Sequence, residues 1–548
     1  MKMQKENNFS EWYNEVIRKA DIIDDRYPIK GMPVYKPYGY KIVLGILRML
    51  EGLLEEEEFE PIWFPILIPC EIFSKESKHI KGFEEEVFWV LEGDQKRLIL
   101  RPTSETEMYY MYSLWIQSYQ DLPIKYFMTN TVYRYETKAT KPLIRGREIL
   151  WNEAHTAHRT KEEAKKMIKK SIDIYLKLFW EICSIPHIWI IRPQWDKFAG
   201  ADYTIAADTV LPDGRFLQIG TTHMLGQNFA KAFEIKFMDK HPYIKVDDCV
   251  YEAVSKDMNI KIRFKVQDSS IEYEIFDLEK SSIIRNGGYR LDNKDIFMIF
   301  DEIVVKELGK NFLENLDRYK YVWQTSFGVS MRFAAAVIAI HGDNKGLILP
   351  FSIAPIQIVI VPIYYENSQR DLVLEYSRKV YESLKTEYRV YLDDREDKTP
   401  GWKFNYWEFK GVPFRIEIGP RDIEKKRVVV AMRQRDSKAK KIVVELDNIN
   451  STIKQLVDDY DKYIKEEAKK YFEEKIIRVG SYKDLKRAIS KLKVVKAPFC
   501  MEEGCARKLK EELHVEVRGT DLEPEEAEGR CVYCNKPAKY WVYIGKSY

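Results

Sequence analysis

Amphipathic helical windows and short apolar strands alternate along the chain, and their pattern changes character several times. Residues 9 to 26 place Phe9, Trp12, Val16 and Ile17 near helical spacing, and Tyr40 to Glu58 repeats such a face before an acidic run. "FEPIWFPILIP", residues 59 to 69, predicts a strand. Pro61, Pro65 and Pro69 lack the ladder N–H, which confines that strand to an edge or an interface. A strand-like run at 97 to 100 precedes "RPTSETE", residues 101 to 107, and an aromatic run follows it. Thr103, Ser104, Glu105 and Thr106 therefore lie between two apolar segments, which predicts polar side chains turned into a folded interior. Val132 to Glu136 and Arg145 to His155 alternate as strands around a lysine-bearing loop, Thr137 to Leu143, and predict an antiparallel hairpin. Further on, a strand ending in Gly220-Thr221-Thr222-His223 leads into a helix. A strand from Tyr321 to Thr325 leads past a glycine to Arg332, at the head of a helix apolar all round and therefore buried.

From Ala354 onward helix and strand alternate, which predicts a small α/β domain with a largely parallel sheet. Residues 456 to 548 begin with a charged helix and end in a cysteine-bearing module. Between His241 and Lys320, "IKIRFKV" alternates apolar and basic, "QDSS" signals a turn, and "IEYEIF" alternates apolar and acidic. That predicts a hairpin with one apolar face and one face of paired opposite charges, followed by a helix near Ile299 to Leu316.

A chain of 548 residues exceeds one core, so two to four domains are expected. At 45% hydrophobic and 32% charged it reads as soluble and globular. A net charge of +3, from 89 basic and 86 acidic residues, excludes a strongly basic polymer-binding protein and leaves nucleic-acid contact to local patches. No apolar run approaches the roughly 20 residues of a membrane helix, and "MKMQKENNFSEW" lacks a signal-peptide core, so a cytoplasmic location is expected. Of the seven cysteines, four crowd the end of the chain as Cys500-x4-Cys505 and Cys531-x2-Cys534. Paired cysteines of this kind suit tetrahedral Zn2+, and four sulfurs leave no open position, so the metal would be structural. No Gly-x4-Gly-Lys-Ser/Thr loop occurs, which excludes P-loop nucleotide binding.

The hairpin carries the densest chemistry. Arg134, Arg145 and Arg147 gather near its loop among Glu136, Glu148 and Glu153, with Trp151 and His155 beside them. Planar guanidinium forks suit phosphate oxygens. Cross-strand ion pairs would explain the charges too, but exposed pairs contribute little, and so many in one hairpin favour a charged ligand. Arg332, heading a buried helix, needs a partner charge such as a phosphate.

"WFP" with its preceding helix, "VYRYE" with "RGRE", and "GVSMR" resemble the three signatures of class II aminoacyl-tRNA synthetases. "RPTSETE", "LWNEAHT", "DKFAGADYTIA" and "TTHMLGQNF" are similar to the prolyl-tRNA synthetases of archaeal and eukaryotic type. The resemblance implies a multidomain α/β fold with a class II antiparallel sheet and flanking helices. An α/β anticodon-binding domain and a C-terminal zinc-containing α+β domain would follow. The expected limits are 1–240 and 320–350 for the catalytic domain, 241–319 for an inserted α+β unit, 351–455 for the anticodon-binding domain and 456–548 for the C-terminal domain. It also implies a homodimer, ATP, Mg2+, structural Zn2+ on Cys500, Cys505, Cys531 and Cys534, L-proline, and tRNA for proline as partner.

The same resemblance implies the site. Thr103 and Glu105 would surround the proline amine, whose two N–H donors and positive charge want a hydroxyl and a carboxylate. Trp151, Glu153 and His155 would complete that pocket, with Phe198 and His223 against the ring. Arg134 would hold the α-phosphate and the substrate carboxylate, and Glu136 would read adenine. Arg145 and Arg332 would grip the outer phosphates, Arg134 and Arg332 being the catalytic pair. Gln218, Thr221 and Gln324 match positions lining the nucleotide or proline pocket. Glu408 and Arg415 match positions that read anticodon bases by their edges. Tyr548, the last residue, would direct its carboxylate toward the catalytic domain. His79, His158, His187, His241, His341 and His514 receive no role. The segment from His241 to Lys320 departs from the family, which has a short connection there; tRNA contact or structural decoration fits it better than editing. Two other readings stand beside this one, a synthetase-like tRNA-binding regulator and a sister class II synthetase for threonine or glycine. Arg134, Glu136 and Arg332 together argue against the first, and the distance in sequence of the cysteines from the site argues against threonine.

Overall fold

Phe9, Trp12, Val16 and Ile17 lie on the buried face of a helix, Phe9–Lys19, that stops short of residue 26. Asn8 caps it by accepting from the Glu11 N–H, and the chain turns into the short strand Ile23–Asp24. The structure is a computed structural model that describes residues 5, 8–77, 87–136, 139–291 and 295–548. His79 and the first residues of the basic loop, Thr137 and Lys138, lie outside the described residues. A second helix, Pro37–Glu56, starts with proline in its first turn and buries Ile42, Val43, Ile46, Leu47, Leu50 and Leu54. The proline-bearing stretch after it is not one strand. Glu60–Pro61 pairs with Ile124–Tyr133 at the edge of the main sheet. Leu67–Pro69 joins a separate three-stranded sheet with Gln95–Leu100 and Phe88–Glu92. Prolines spaced four apart leave too few donors for one continuous ladder.

The main sheet has eleven strands. Ile124–Tyr133, Glu148–His158, Trp323–Ser330 and Arg215–Gly226 run antiparallel side by side, and Tyr203–Val210 and Ile188–Ile191 extend the sheet beyond them. The first hairpin strand thus begins eight residues earlier and ends three earlier than the expected Val132 to Glu136, and the second runs three residues further along than Arg145 to His155. The strand through Gly220 and His223 also continues to Gly226 instead of ending at the histidine. Behind the sheet lies the helix Arg332–His341, whose residues from Phe333 to His341 are all buried. The sheet continues into the C-terminal part of the chain. The chain's last strand, Tyr540–Ser547, pairs parallel with Arg215 and Phe216 and carries Val494–Phe499, Glu516–Gly519 and Ile476–Arg478 with it.

Residues from Ile358 to Glu445 form a five-stranded sheet in the order Val390–Leu392, Ile358–Pro362, Phe414–Ile418, Arg427–Met432, Lys440–Glu445. Its first two pairings are parallel and its last two antiparallel, so the expected largely parallel sheet is mixed. The short turn between Met432 and Lys440 allows only an antiparallel return. "TPGWKFNYWEFKG" supplies the helix Pro400–Phe409. The charged helix spans Ile449–Lys475 and acts as a strut: Tyr460 donates to the Leu349 carbonyl at 3.1 Å, and Tyr471 to the Val210 carbonyl at 2.9 Å.

The insertion is a five-stranded antiparallel meander from Ile244–Asp247 to Ser282–Arg290, with helices Ile296–Leu308 and Lys310–Glu314 over it. The expected single helix is broken at Gly309, which has φ +91°. Ile262 faces Ile275 and Phe264 faces Tyr273, as the alternation implies. The charges pair otherwise: Arg263, opposite Glu274, and Lys261, opposite Phe276, both reach Glu252 on the other neighbouring strand, at 2.8 and 3.1 Å. The short pair Lys236–Met238 with Tyr319–Tyr321 and the ion pair Lys320–Asp239 (2.6 Å) close the unit at its base.

Candidate active site

Strand parity builds the floor of the site. Trp151, Glu153 and His155 share one face of their strand, and the register lines them up with residues of the next strands. His155 faces Ser326, which faces His223, which faces Thr204. Glu153 faces Gly328, which faces Thr221. Gln218 is out of phase with Thr221 by alternation, but a bulge at Ile219 brings it back opposite Asp208. The result is a cleft of about 500 Å³. Thr103, Glu105, Arg134, Arg145, Trp151, Glu153, His155, Phe198, Gln218, Thr221, His223 and Arg332 all line it. Two expected residues do not. Glu136 follows the end of its strand and pairs with Arg145 at 3.6 Å outside the cleft wall. Gln324 shares the parity of Ser326 but is fully buried below the wall. Motif position alone did not encode how deep each side chain sits.

One end of the cleft is anionic and tightly bonded. Glu105 accepts from Thr103 and from Ser326 (3.4 Å). Glu153 accepts from Ser104, from Asn130 (2.8 Å) and from His155 Nε2 (3.1 Å). Tyr109 bonds His155 Nδ1 at 3.0 Å, and Trp151 Nε1 donates to Asn130 at 2.8 Å. Burial alone would raise the Glu153 carboxyl, but His155, Ser104 and Asn130 hold it below the usual range. Burial would likewise lower the His155 imidazole, and Glu153 and Glu105 raise it instead. Burial, with repulsion from His155 and Arg192, pushes His223 down to about 3, so that ring is neutral. His223 packs against Phe198, ring centres 4.6 Å apart and planes tilted by 34°, and bonds Thr204 at 2.9 Å. Two carboxylates and a hydroxyl beside a flat apolar wall suit a small ammonium ion carrying an apolar ring.

The other end is cationic. Arg134 donates from Nε to the Pro102 carbonyl at 3.2 Å and lies 5.9 Å over the Trp151 ring. Arg332 donates from Nε to the Ile144 carbonyl at 2.8 Å. Burial, followed by repulsion from Arg134 and Arg145, lowers its guanidinium to about 10. Three guanidiniums gathered at one end of the cleft suit the oxygens of a polyanion. Asn130, Ser326 and Arg192 also belong to the site, and the sequence reading missed them; Ser104, expected in the interior, joins it by donating to Glu153. Strand pairing opposite Trp151, Glu153 and His155 was the only signal that could have found Asn130 and Ser326.

A family model described as tRNA synthetase class II core domain (G, H, P, S and T) matches residues 88–253. An anticodon binding domain model matches 357–456, and a prolyl-tRNA synthetase C-terminal model matches 482–548. The proline–tRNA ligase of Nanoarchaeum equitans (strain Kin4-M) is 49% identical over 553 residues, which cover 100% of each chain. The chain belongs to the prolyl-tRNA synthetases. That of Thermofilum pendens (strain DSM 2475 / Hrk 5) is 43% identical over 100% of this chain and 98% of its own. The crystal structure of the prolyl-tRNA synthetase of Cryptosporidium parvum complexed with L-proline and AMP is similar at a TM-score of 0.79 and 28% identity. That similarity covers 100% of this chain and 96% of that one. As a member of this family the chain is an enzyme, an ATP-dependent aminoacyl-tRNA ligase with a class II core.

Proposed function

We propose that the cleft activates L-proline with ATP to prolyl-adenylate and then transfers the prolyl group to the 3′ end of tRNA for proline, releasing pyrophosphate and AMP. The observation that carries this is the polarity of the cleft, an anionic amine pocket adjoining a wall of guanidiniums. Glu105 and Thr103 receive the prolinium N–H groups, with Glu153 and His155 behind them and Phe198, His223 and Trp151 around the ring. Arg134 sits between the two ends, where the substrate carboxylate meets the α-phosphate. Arg145, Arg332, Gln218 and Thr221 hold the nucleotide. The nucleophile is already an anion, so the step needs placement and charge compensation more than a base. Mg2+ is bound mostly by substrate phosphates with one or two carboxylates. Glu148, which lines the cleft and accepts from Tyr133 at 3.1 Å, would hold it and offset charge on the triphosphate. Pyrophosphate exchange dependent on each of the twenty amino acids tests the assignment: proline must give the highest kcat/KM, and threonine or glycine in its place would overturn it.

Glu408 and Arg415 line one shallow depression of the anticodon-binding domain. Lys345 pairs with Glu408 at 3.1 Å, while Arg415 bonds Glu417 at 2.8 Å and lies 4.1 Å over Phe404. A guanidinium held on an aromatic face is set to pair with the edge of an unstacked base. Arg415→Ala is expected to lower kcat/KM for tRNA charging about tenfold, the value of one good base contact, and to leave pyrophosphate exchange unchanged. Loss of exchange in that variant would contradict the division at residues 350 and 351.

The four C-terminal sulfurs fit a metal. Cys505 and Cys531 are 3.9 Å apart and Cys500 and Cys534 3.6 Å, whereas a disulfide needs about 2.05 Å. Zinc–sulfur bonds of about 2.3 Å in a tetrahedron place sulfurs about 3.8 Å apart. Zn2+ there would supply folding energy rather than chemistry. Metal analysis should find one Zn2+ per chain, and a strong chelator should lower the melting temperature; an unchanged melting curve after metal removal refutes a structural role. For the homodimer, the support is the exposure of the large apolar side chains Trp63, Trp89, Leu91, Leu114 and Trp115. Among the described residues no helix is long and apolar enough to cross a membrane, which fits action in the cytoplasm.

A further inference from the structure

Asp208 is fully buried and held by two arginines from different parts of the chain. Arg192, which follows the strand Ile188–Ile191, donates to it from both terminal nitrogens, at 3.0 and 2.7 Å. Arg518, on the C-terminal strand Glu516–Gly519, donates to the same carboxylate from Nε at 3.0 Å. Burial would raise the Asp208 carboxyl, but the two guanidiniums bring it down to about 2, so it is ionised throughout the working range. Breaking a fully buried ion pair by removing one partner is strongly unfavourable, so the arrangement is rigid.

This trio touches the cleft through Gln218. The Arg192 guanidinium, anchored on Asp208 and on the Arg518 carbonyl (3.2 Å), also donates to Gln218 Oε1 at 2.9 Å. That contact fixes which end of the carboxamide is which. The oxygen is turned to Arg192, and the donating nitrogen is the other end, on a residue that lines the cleft. The β-bulge places Gln218 directly opposite Asp208 for this purpose. The C-terminal domain is brought close enough by Gly519. Its φ is +126°, and a Cβ there would lie 1.9 Å from the Ile191 carbonyl. Thr520 and Ile191 exchange backbone bonds at 2.9 and 3.2 Å just beside it.

We infer that Arg518 is a positioning residue of the catalytic site: the C-terminal domain, through Asp208 and Arg192, sets the orientation of the Gln218 amide toward a substrate oxygen. The inference rests on the reading of Gln218 as a nucleotide contact. Glu516 accepts from Arg518 at 2.9 Å and Asp196 lies 3.8 Å from both guanidiniums, so the cluster acts on the cleft through the Gln218 contact and not through a net positive charge. Arg518 therefore acts on ATP and much less on proline.

The test is pyrophosphate exchange with the full-length chain carrying Arg518→Met, Arg518→Lys or Gln218→Ala. Arg518→Met should raise KM for ATP about five- to tenfold and leave KM for proline within about twofold. Arg518→Lys keeps the charge but not the fork, and should fall between Arg518→Met and the parent chain. The double variant Arg518→Met with Gln218→Ala should be no worse than Gln218→Ala alone, because the two act in series. An unchanged KM for ATP in Gln218→Ala overturns the nucleotide reading of that residue. A raised KM in Gln218→Ala beside an unchanged KM in the Arg518 variants overturns the relay. If Arg518→Met does not fold, Arg518→Lys decides: a parental KM for ATP sinks the inference whatever happens to the melting temperature.

Discussion

Arg134→Ala should lower kcat and kcat/KM for proline activation together, by about a thousandfold, with little change in the folded state. Removing one preorganised donor aimed at developing charge typically lowers rates by about 10²- to 10³-fold, and in the proposed step this guanidinium would serve both the carboxylate nucleophile and the phosphorus it attacks. Its fork is aimed in advance. The Arg134 N–H bonds the Arg147 carbonyl at 2.9 Å, Nε bonds Pro102, and the Trp151 ring lies under the plane. Arg134→Lys should recover little, because an ammonium is a point charge without the planar pair of donors. Pyrophosphate exchange and single-turnover adenylate formation measure it. A variant in which only KM rises would show that Arg134 binds both states equally and does not stabilise the transition state.

The residues of that cleft were legible in the sequence to an uneven degree. Trp151, Glu153 and His155 could be placed on one face by alternation alone, because their strand is regular over eleven residues. Gln218 could not: it has the wrong parity relative to Thr221, and the bulge that corrects it leaves no mark in a single sequence. The prolines at 61, 65 and 69 announced an edge, yet not that the stretch divides between two sheets, since that depends on which partners lie nearby. Glu136 and Gln324 carried the right motif positions and ended outside the cleft wall, because depth is set by packing from distant segments. The largest gap was long-range. Asp208 and Arg518 are 310 residues apart, and nothing local in either segment points to the other. The resemblance brought only Tyr548 of the C-terminal domain toward the catalytic domain, whereas the whole last strand joins the main sheet beside Arg215 and Phe216.

The other large effect lies at the end of that strand. Deleting Tyr548 should lower kcat/KM for proline activation roughly thirtyfold. Beside the terminal carboxylate, which the resemblance directs toward the catalytic domain, the backbone N–H and the phenol of Tyr548 make contacts there. The Tyr548 N–H bonds the Phe216 carbonyl at 3.1 Å, and its phenol donates to Asp213 at 2.6 Å. Lys141, from the basic loop of the catalytic hairpin, donates to the same phenol oxygen at 3.1 Å. Its ammonium lies 4.9, 5.1 and 5.1 Å from the rings of Phe9, Tyr13 and Tyr548, three walls of an aromatic cage. Burial, more than its neighbours, lowers the Lys141 ammonium, so its charge depends on those walls. The loop is short: Lys141 and Arg145 exchange backbone bonds of 2.8 Å, so what fixes the lysine also fixes the arginine on the phosphate side of the cleft. A desolvated cation–π wall is worth up to about 2 kcal/mol and a hydrogen bond about 1, which together set the scale of the loss. Tyr548→Phe keeps the wall and gives up only the phenol bonds, so it should retain most of the activity, while Tyr548→Ala should resemble the deletion. Activation kinetics on the three variants, with KM for ATP rising more than KM for proline, are the expected pattern. Equal rates in the deletion and the parent chain would mean that Arg145 is placed without Tyr548, and that the chain end packs against the site without serving it.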